Sequence, residues 1–398
     1  MDRNKELLES ESIFLDAIKH AKSFDPDKEN KLYRVGGYVR DHFLNLPSKD
    51  VDYLVTNVDF IDLYKTLSNV GNKTLSTDVG DSMNVIKVKM GFEEPFDFAV
   101  PRKDICGMSG SHTDVQTIGD PSMSVEDDLG RRDITINAIA YDVETGEYID
   151  PFNGISDIKE GILKCVGDPD IRFNEDALRI MRVIQFSNRF GFEIERNTLI
   201  AILKNKKLLH KITGERIYEE IKKAILKSKI KRDTNHLEFL LNISGVGVEL
   251  FGDEFNPIST NTIEGDELIS TLVALFFYGG DYHALVMPSL PKSVIEICRK
   301  LKTMDPFDVM YKKRHLFQYV YDAMMSIGDS YWEKNIMKLH NVPLEPSELK
   351  IKGETLISLG YVGAAIGTIQ KAICRAIYDR ELNNNATDLL RFAIANIN

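Results

Sequence analysis

What a chain like this can fold into is constrained first by the stretch Lys31-Leu-Tyr-Arg-Val-Gly36-Gly37-Tyr-Val-Arg40-Asp41 and the Asp50-Val-Asp52 that follows it. Residues 32–35 read as a short strand ending on two glycines, and residues 38–44 as a helix with Val39 and Phe43 on one face. A strand–Gly–Gly–helix turn leaves backbone N–H groups and a helix N-terminus bare, which suits a polyphosphate. Gly36 and Gly37 form that turn, and Arg40 follows in the first helical turn with a fork that can bind phosphate oxygens. Asp50 and Asp52 open a second strand, whose period of two puts both carboxylates on one face and Val51 on the other. Beside a phosphate cradle such a pair is a magnesium site that the substrate's own phosphates complete. Taken singly, Gly-Gly is any turn and Asp-x-Asp a solvated strand edge. Order and spacing join them.

The 398 residues leave room for about two to four domains. No apolar run approaches the roughly 20 residues of a membrane span. The N-terminal MDRNKELLESES is charged throughout, so no secretory signal is expected. Cys106, Cys165, Cys298 and Cys374 stand far apart, so neither a zinc cluster nor a disulfide frame is expected. A reducing, cytoplasmic setting follows. The net charge of −11 is unpromising for a nucleic-acid binder, but its distribution is uneven. Residues 203–232 hold eleven Lys and Arg against three acids, a local excess of +8, and a smaller basic cluster lies at 299–314. Such runs are either solvated helix faces or contacts to a phosphate backbone.

Residues 1–30 predict an amphipathic helix (Leu7, Leu8, Ile13, Phe14, Ala17, Ile18) packed on the first domain as an extension. From 31 to about 148, strands and helices alternate, with strands at 84–89 and 96–100, an α+β unit with a mixed sheet. If the 96–100 strand neighbours Asp52, Asp97 supplies a third carboxylate; otherwise it is a surface acid. Residues 103–124, rich in Gly, Ser, Thr and Asp, are expected as a long loop. Arg131 and Arg132 inside an acidic stretch need anionic partners, which a triphosphate would provide. Asp133 and Asn137, four apart on an expected helix, could both bond a ribose. Residues 172–186 predict one helix capped by Asn174, with Leu178, Met181, Ile184 and Phe186 inward and Asp176, Arg179 and Arg182 along one side. Asp176 and Arg179 could be a plain salt bridge. Alternatively, a carboxylate that only accepts beside a guanidinium that only donates matches the edges of cytosine and adenine and rejects uracil and guanine.

These residues resemble the motifs of class II tRNA nucleotidyltransferases (CCA-adding enzymes) and bacterial poly(A) polymerases, within the polymerase-β-like superfamily. The Gly-Gly…Asp-x-Asp run is similar to the first motif and Arg131-Arg132-Asp133…Asn137-Ala138 to the second. Asp150, Gly154 and Asp157 resemble the third motif, Glu175-Asp176…Arg179 the fourth, and Gly214-Glu215-Arg216 a fifth that supports the base-reading helix. The tail around Gly353, Gly360, Gly363 and Gly367 resembles the family's tail, a platform for the tRNA elbow. The chain departs at Lys164 and Gln185, where the family usually has Arg, and at Ala177 and Val362, where it usually has Pro.

The resemblance implies an extension (1–30), a catalytic nucleotidyltransferase head with a mixed sheet (31–148), and an all-α neck (149–232), body (233–345) and tail (346–398). It implies template-independent CCA addition to tRNA from CTP and ATP with Mg2+, Asp50 and Asp52 binding metal and Asp97 joining them in catalysis. Gly36, Gly37, Arg40, Arg132, Asp133, Asn137, Asp176, Arg179 and Arg182 would bind the nucleotide, in a monomer or homodimer that touches the tRNA's 3′ end and elbow. Rivals are an enzyme adding only CC or only A, a poly(A) polymerase, or an inactive RNA-binding protein. The chain lacks an Arg-rich segment after Asp52 and keeps the 103–124 stretch, which argues against the polymerase and the CC-only enzyme. No His precedes an Asp, so no phosphohydrolase dyad is expected, and His283 and His340 read as core or surface residues.

Overall fold

Alternation of apolar and polar residues builds the sheet that carries the acidic strand. The structure, a computed structural model, describes residues 3–48, 50–70, 75–78, 85–90, 95–106, 115–227, 235–251, 305–314, 317, 320, 321 and 330–397. It divides into two compact units, Met1–Glu220 and Ile221–Asn398.

In the first unit the described strands are β1 (Lys31–Val35), β2 (Val51–Thr56), β3 (Leu75–Asp78), β4 (Val85–Val88), β5 (Phe96–Ala99), β6 (Arg102–Cys106), β7 (Val115–Gly119), β8 (Ala140–Asp142), β9 (Tyr148–Ile149), β10 (Ile162–Leu163) and β11 (Glu193–Ile194), the last two forming a short parallel pair of their own. Seven of them form one sheet in the order β3-β4-β5-β2-β1-β8-β9. Within this sheet β2 and β5 pair in parallel and the other described pairs are antiparallel, so the sheet is mixed, as expected. In that parallel pair Asp52 lies opposite Asp97.

Helix α1 (Arg3–Lys19) covers one face of this sheet. Leu7, Phe14 and Ile18 are buried, and the Phe14 ring lies 4.9–6.0 Å from those of Tyr53, Phe96 and Phe98. Burial of such a phenyl ring stabilises by about 1.5–3 kcal/mol. Leu8 and Ile13, expected inward, are 61% and 48% exposed. They fall off the stripe set by Leu7, Glu11, Phe14 and Ile18, spaced three and four apart. Glu11 is buried within that stripe, where it takes the Arg34 guanidinium and the Tyr53 hydroxyl.

Stretch 103–124, expected as a loop, contains an antiparallel ribbon in which β6 pairs with β7. Ile105, Val115, Thr117 and Ile118 are β-branched and favour extended backbone, a signal hidden by the polar residues around them.

Helices α2 (Gly37–Phe43), α3 (Phe60–Ser68), α4 (Val125–Gly130), α5 (Gly154–Glu160), α6 (Pro169–Glu175), α7 (Leu178–Phe190), α8 (Arg196–Asn205) and α9 (Gly214–Leu226) complete the path, α9 running across the unit boundary. The expected single helix over 172–186 is two. Asp176 is extended (φ −147°, ψ 107°) and ends α6, and its Oδ1 accepts from the Leu178 N–H, the first of α7, at 3.0 Å, one residue ahead of that helix's N-cap Ala177. Asp168, not Asn174, caps α6. The helix expected around Asp133 is only a 3-10 turn, Thr135–Asn137. Leu178, Met181, Ile184 and Phe186 are buried as expected.

In the second unit the described helices include Asn235–Ile243, Pro306–Met310, Ser330–Leu339, Gly353–Ser358, Ala364–Tyr378 and Ala386–Ala395. The helices expected at 268–277 and 294–301, most of 316–325, and His283 lie outside the described residues. His340 lies against Phe317 and Tyr321. Among the described residues no helix is long and apolar enough to cross a membrane.

Candidate active site

Gly36 joins β1 to α2 with φ 68° and ψ −132°, a conformation that side chains with a Cβ rarely adopt. A Cβ there would lie 3.1 Å from Arg132 Nη1 and 3.6 Å from Asp52 Oδ2. The bare α-carbon of Gly36 therefore forms the floor between a cation and an anion. Gly37 starts α2, and a Cβ on it would meet Arg40 Nη2 at 3.5 Å.

Asp52 sits on β2 facing this floor. Burial raises its pKa, the neighbouring Asp97 and Asp50 raise it further, and Arg132 and Lys87 work against them. Asp50 lies one residue before β2 and is exposed. Asp97 Oδ2 is 3.2 Å from Lys87 Nζ, whereas its Oδ1 is buried without a hydrogen-bond partner. Two facing carboxylates, one with an unmet buried oxygen, are the donor set a hard divalent cation requires. Among the described residues, no three His, Cys, Asp or Glu side chains are grouped closely enough to hold a metal by themselves.

The second motif is held by an acid that the sequence reading passed over. Asp128 is fully buried, 2.6 Å from Arg131 Nη2 and 3.3 Å from Arg132 Nη2. Arg132 Nη1 also donates to the Asn137 carbonyl at 3.1 Å, and its buried Nε has no acceptor. Asp133 and Asn137 do meet, with Asn137 Nδ2 donating to Asp133 Oδ1 at 3.3 Å. The other Asp133 oxygen accepts from Arg182 Nε at 2.7 Å. Arg40 turns inward and is 4% exposed. Its Nη1 donates to Asn137 Oδ1 at 2.6 Å, its Nε and Nη2 bond Asp41, and its guanidinium lies over the Phe190 and Phe186 rings.

Arg179 donates from Nη2 to the Arg131 carbonyl at 3.0 Å and from Nη1 to Glu175 Oε2 at 2.7 Å. Asp176 Oδ2 lies 3.6 Å from Arg216 Nη2, which links the fifth motif to the fourth. Glycine at 154 is required by contact: a Cβ would lie 2.2 Å from the Thr135 carbonyl oxygen. Asp150 accepts from the Gly154 and Ile155 N–H groups, and Asp157 accepts from the Thr135 hydroxyl at 2.5 Å. The third motif thus braces the turn that carries Asn137.

Gly36, Asp52, Asp97 and Arg132 come together, and Arg179 and Arg182 dock on residues 131–133. Arg40 faces the interior, and Asp50 lies just outside β2. Sequence reading missed Asp128 and Lys87. In Val-Ile-Lys-Val the buried Ile86 and Val88 leave Lys87 on the opposite face, a period-two signal that was available. In the tail, the N-terminus of the helix Ala364–Tyr378 is open, without close packing around its glycines. Ala364 and Ala365 are exposed, and a Cβ on Gly363 or Gly367 would meet nothing within 4 Å.

The family model described as the poly A polymerase head domain matches residues 32–164, and that for a probable RNA and SrmB-binding site of polymerase A matches residues 191–238. The CCA-adding enzyme of Ligilactobacillus salivarius (strain UCC118) is 36% identical over 230 residues, covering 57% of this chain and 53% of its own. Residues 32–164 thus carry a poly A polymerase head domain, and the chain is similar to CCA-adding enzymes. It spans about half the length of the curated CCA-adding enzymes it matches. Among solved structures, the Bacillus stearothermophilus CCA-adding enzyme in complex with CTP superposes with a TM-score of 0.62 at 23% identity, covering 98% of this chain and 97% of that one. The Thermotoga maritima CCA-adding enzyme complexed with tRNA gives 0.66 at 21% identity, covering 98% of each. At those identities the superpositions show the fold alone, a mixed-sheet head with helices.

Proposed function

We propose that this chain adds CCA to the 3′ end of tRNA from CTP and ATP, releasing pyrophosphate. One observation carries the reading: Arg179 bonds the Arg131 carbonyl while the adjacent Arg132 borders Gly36 and Asp52. The candidate base-reading residues are thereby tied by one peptide to the candidate phosphoryl-transfer centre. The named relatives, which are CCA-adding enzymes, support the same reading.

Asp50, Asp52 and Asp97 would hold magnesium, whose chemistry when bound is to acidify the acceptor hydroxyl and neutralise the triphosphate. Gly36, Gly37 and Arg132 would cradle the phosphates. Arg40, Asp133, Asn137 and Arg182 would keep that cradle rigid as well as border the sugar, because each is already bonded to another of the four. Asp176 and Arg179 would offer acceptor and donor to the base edge, admitting C and A. The parts would be a head (31–148), a neck (149–232), a body (233–345) and a tail (346–398), the last meeting the tRNA elbow. The buried free thiols of Cys165 and Cys374 fit a reducing cytoplasm.

The test is extension of a tRNA transcript ending at its discriminator base, with CTP, ATP, both, or UTP and GTP. The expected product is three nucleotides, CCA, with no UMP or GMP added. Long A runs, or addition stopping at CC, would replace this reading with a poly(A) polymerase or a partial enzyme. Incorporation of all four bases alike would refute the protein-templated pocket.

A further inference from the structure

The sheet order sets a direction across the reaction centre. Gly36 and its neighbour Arg132 lie at the β1 side of Asp52, and Asp97 lies on the other side, on β5. One strand further out, on β4, Lys87 is in register with Asp97, its Nζ 3.2 Å from Asp97 Oδ2. By the ordinary spacing of sheet strands, Lys87 is rooted roughly 10 Å from Asp52. Asp97 and Lys87 are each about one-third exposed, so the pair is open to a ligand.

In phosphoryl transfer the attacking and leaving oxygens stand roughly in line on opposite sides of the phosphorus. If the pyrophosphate leaves on the Gly36 side, the attacking hydroxyl must arrive on the Asp97 side. An RNA end that places its 3′-hydroxyl over Asp97 carries its last phosphodiester outward, toward β4. Among the described residues, Lys87 places a cation there. An ammonium has three donors, so it can keep Asp97 oriented and bind a phosphate oxygen together.

We propose that Lys87 is an acceptor-end residue: it binds the terminal phosphodiester of the RNA primer and holds Asp97 toward the attacking hydroxyl. The proposal rests on the transferase reading above. It assigns to β4 a role that neither the glycine turn nor the base-reading helix supplies.

The test compares the wild-type chain with Lys87→Gln and Lys87→Arg, each checked by circular dichroism and melting temperature. Steady-state extension gives KM for tRNA and for CTP separately. Lys87→Gln should raise KM for tRNA by about tenfold, the size of one charge-assisted contact, and leave KM for CTP within about twofold. It should also lower the slope of log(kcat/KM) for tRNA against log salt by about 0.7–0.9, the value for one lost phosphate contact. Lys87→Arg should restore most of the tRNA affinity. A variant with unchanged KM for tRNA, or with both KM values raised equally, overturns the assignment. If the wild-type protein extends no acceptor, the transferase reading itself fails; if it extends and Lys87→Gln matches it, only the role of Lys87 fails.

Discussion

Burial works against the charge of Asp133, but the Arg182 guanidinium and the Asn137 amide outweigh it and hold the carboxyl below the usual range. A depressed carboxylate stabilises the fold above its unfolded pKa and loses that contribution as pH falls through its folded one. Asp133→Asn should therefore lower the melting temperature at every pH from about 5 to 8, by the equivalent of about 1–3 kcal/mol. The gap should begin to narrow as pH falls below about 3.8, the value an unperturbed Asp takes, and close only once pH has passed the lower folded value. A gap that widens in acid would reverse the assigned sign. Gly36 gives a second prediction. Alanine there incurs the cost of positive φ, about 1–3 kcal/mol, and sets a methyl 3.1 Å from Arg132 Nη1. Gly36→Ala should melt earlier and lose most nucleotide addition; full activity would mean that the floor between Arg132 and Asp52 is not where phosphate sits.

The break between α6 and α7 turns one side chain to two tasks. Asp176 satisfies the first N–H of α7 through Oδ1, in the manner of a cap, and its other oxygen is the candidate acceptor for a base edge. Asn is as good an N-cap as Asp but cannot present a purely accepting edge, whereas Ala can do neither. Asp176→Asn should keep the melting temperature and relax discrimination against UTP and GTP. Asp176→Ala should do both harms, costing about 1 kcal/mol in stability. If the Asn variant discriminates like the wild type, Asp176 is a cap and nothing more. This break also marks what a sequence conceals. The apolar stripe of Leu178, Met181 and Ile184 was legible because one face is buried against the core, and so was the mixed sheet. The two-residue interruption was not, since Glu175-Asp176-Ala177 suits a helix interior about as well as its ends. The Asp52–Asp97 pairing was foreseen only conditionally, because strand order follows from long-range packing that no local pattern encodes. Asp128 was hidden for a like reason: three successive acids look solvated until tertiary structure buries one of them.

Across the whole molecule, a net charge of −11 has to be reconciled with the polyanionic partner proposed for it. The basic excess in residues 203–232 offers a way, provided its cations are not all committed within the chain. Lys204 is committed, 2.7 Å from Asp170, and Arg216 leans on Asp176. Lys207 and Lys211 are exposed on the turn that follows α8. If that turn meets a phosphate backbone, each lysine releases about one counterion on binding. Replacing both by Gln should then weaken tRNA binding and reduce the slope of log affinity against log salt by about 1.5–2, while CTP binding stays unchanged. Replacing Lys204, whose charge already serves Asp170, should move the slope much less. The comparison separates a directed contact from general electrostatics: if all three substitutions act alike, the tRNA responds to the overall charge of the segment, and the geometry of the turn has no part in it.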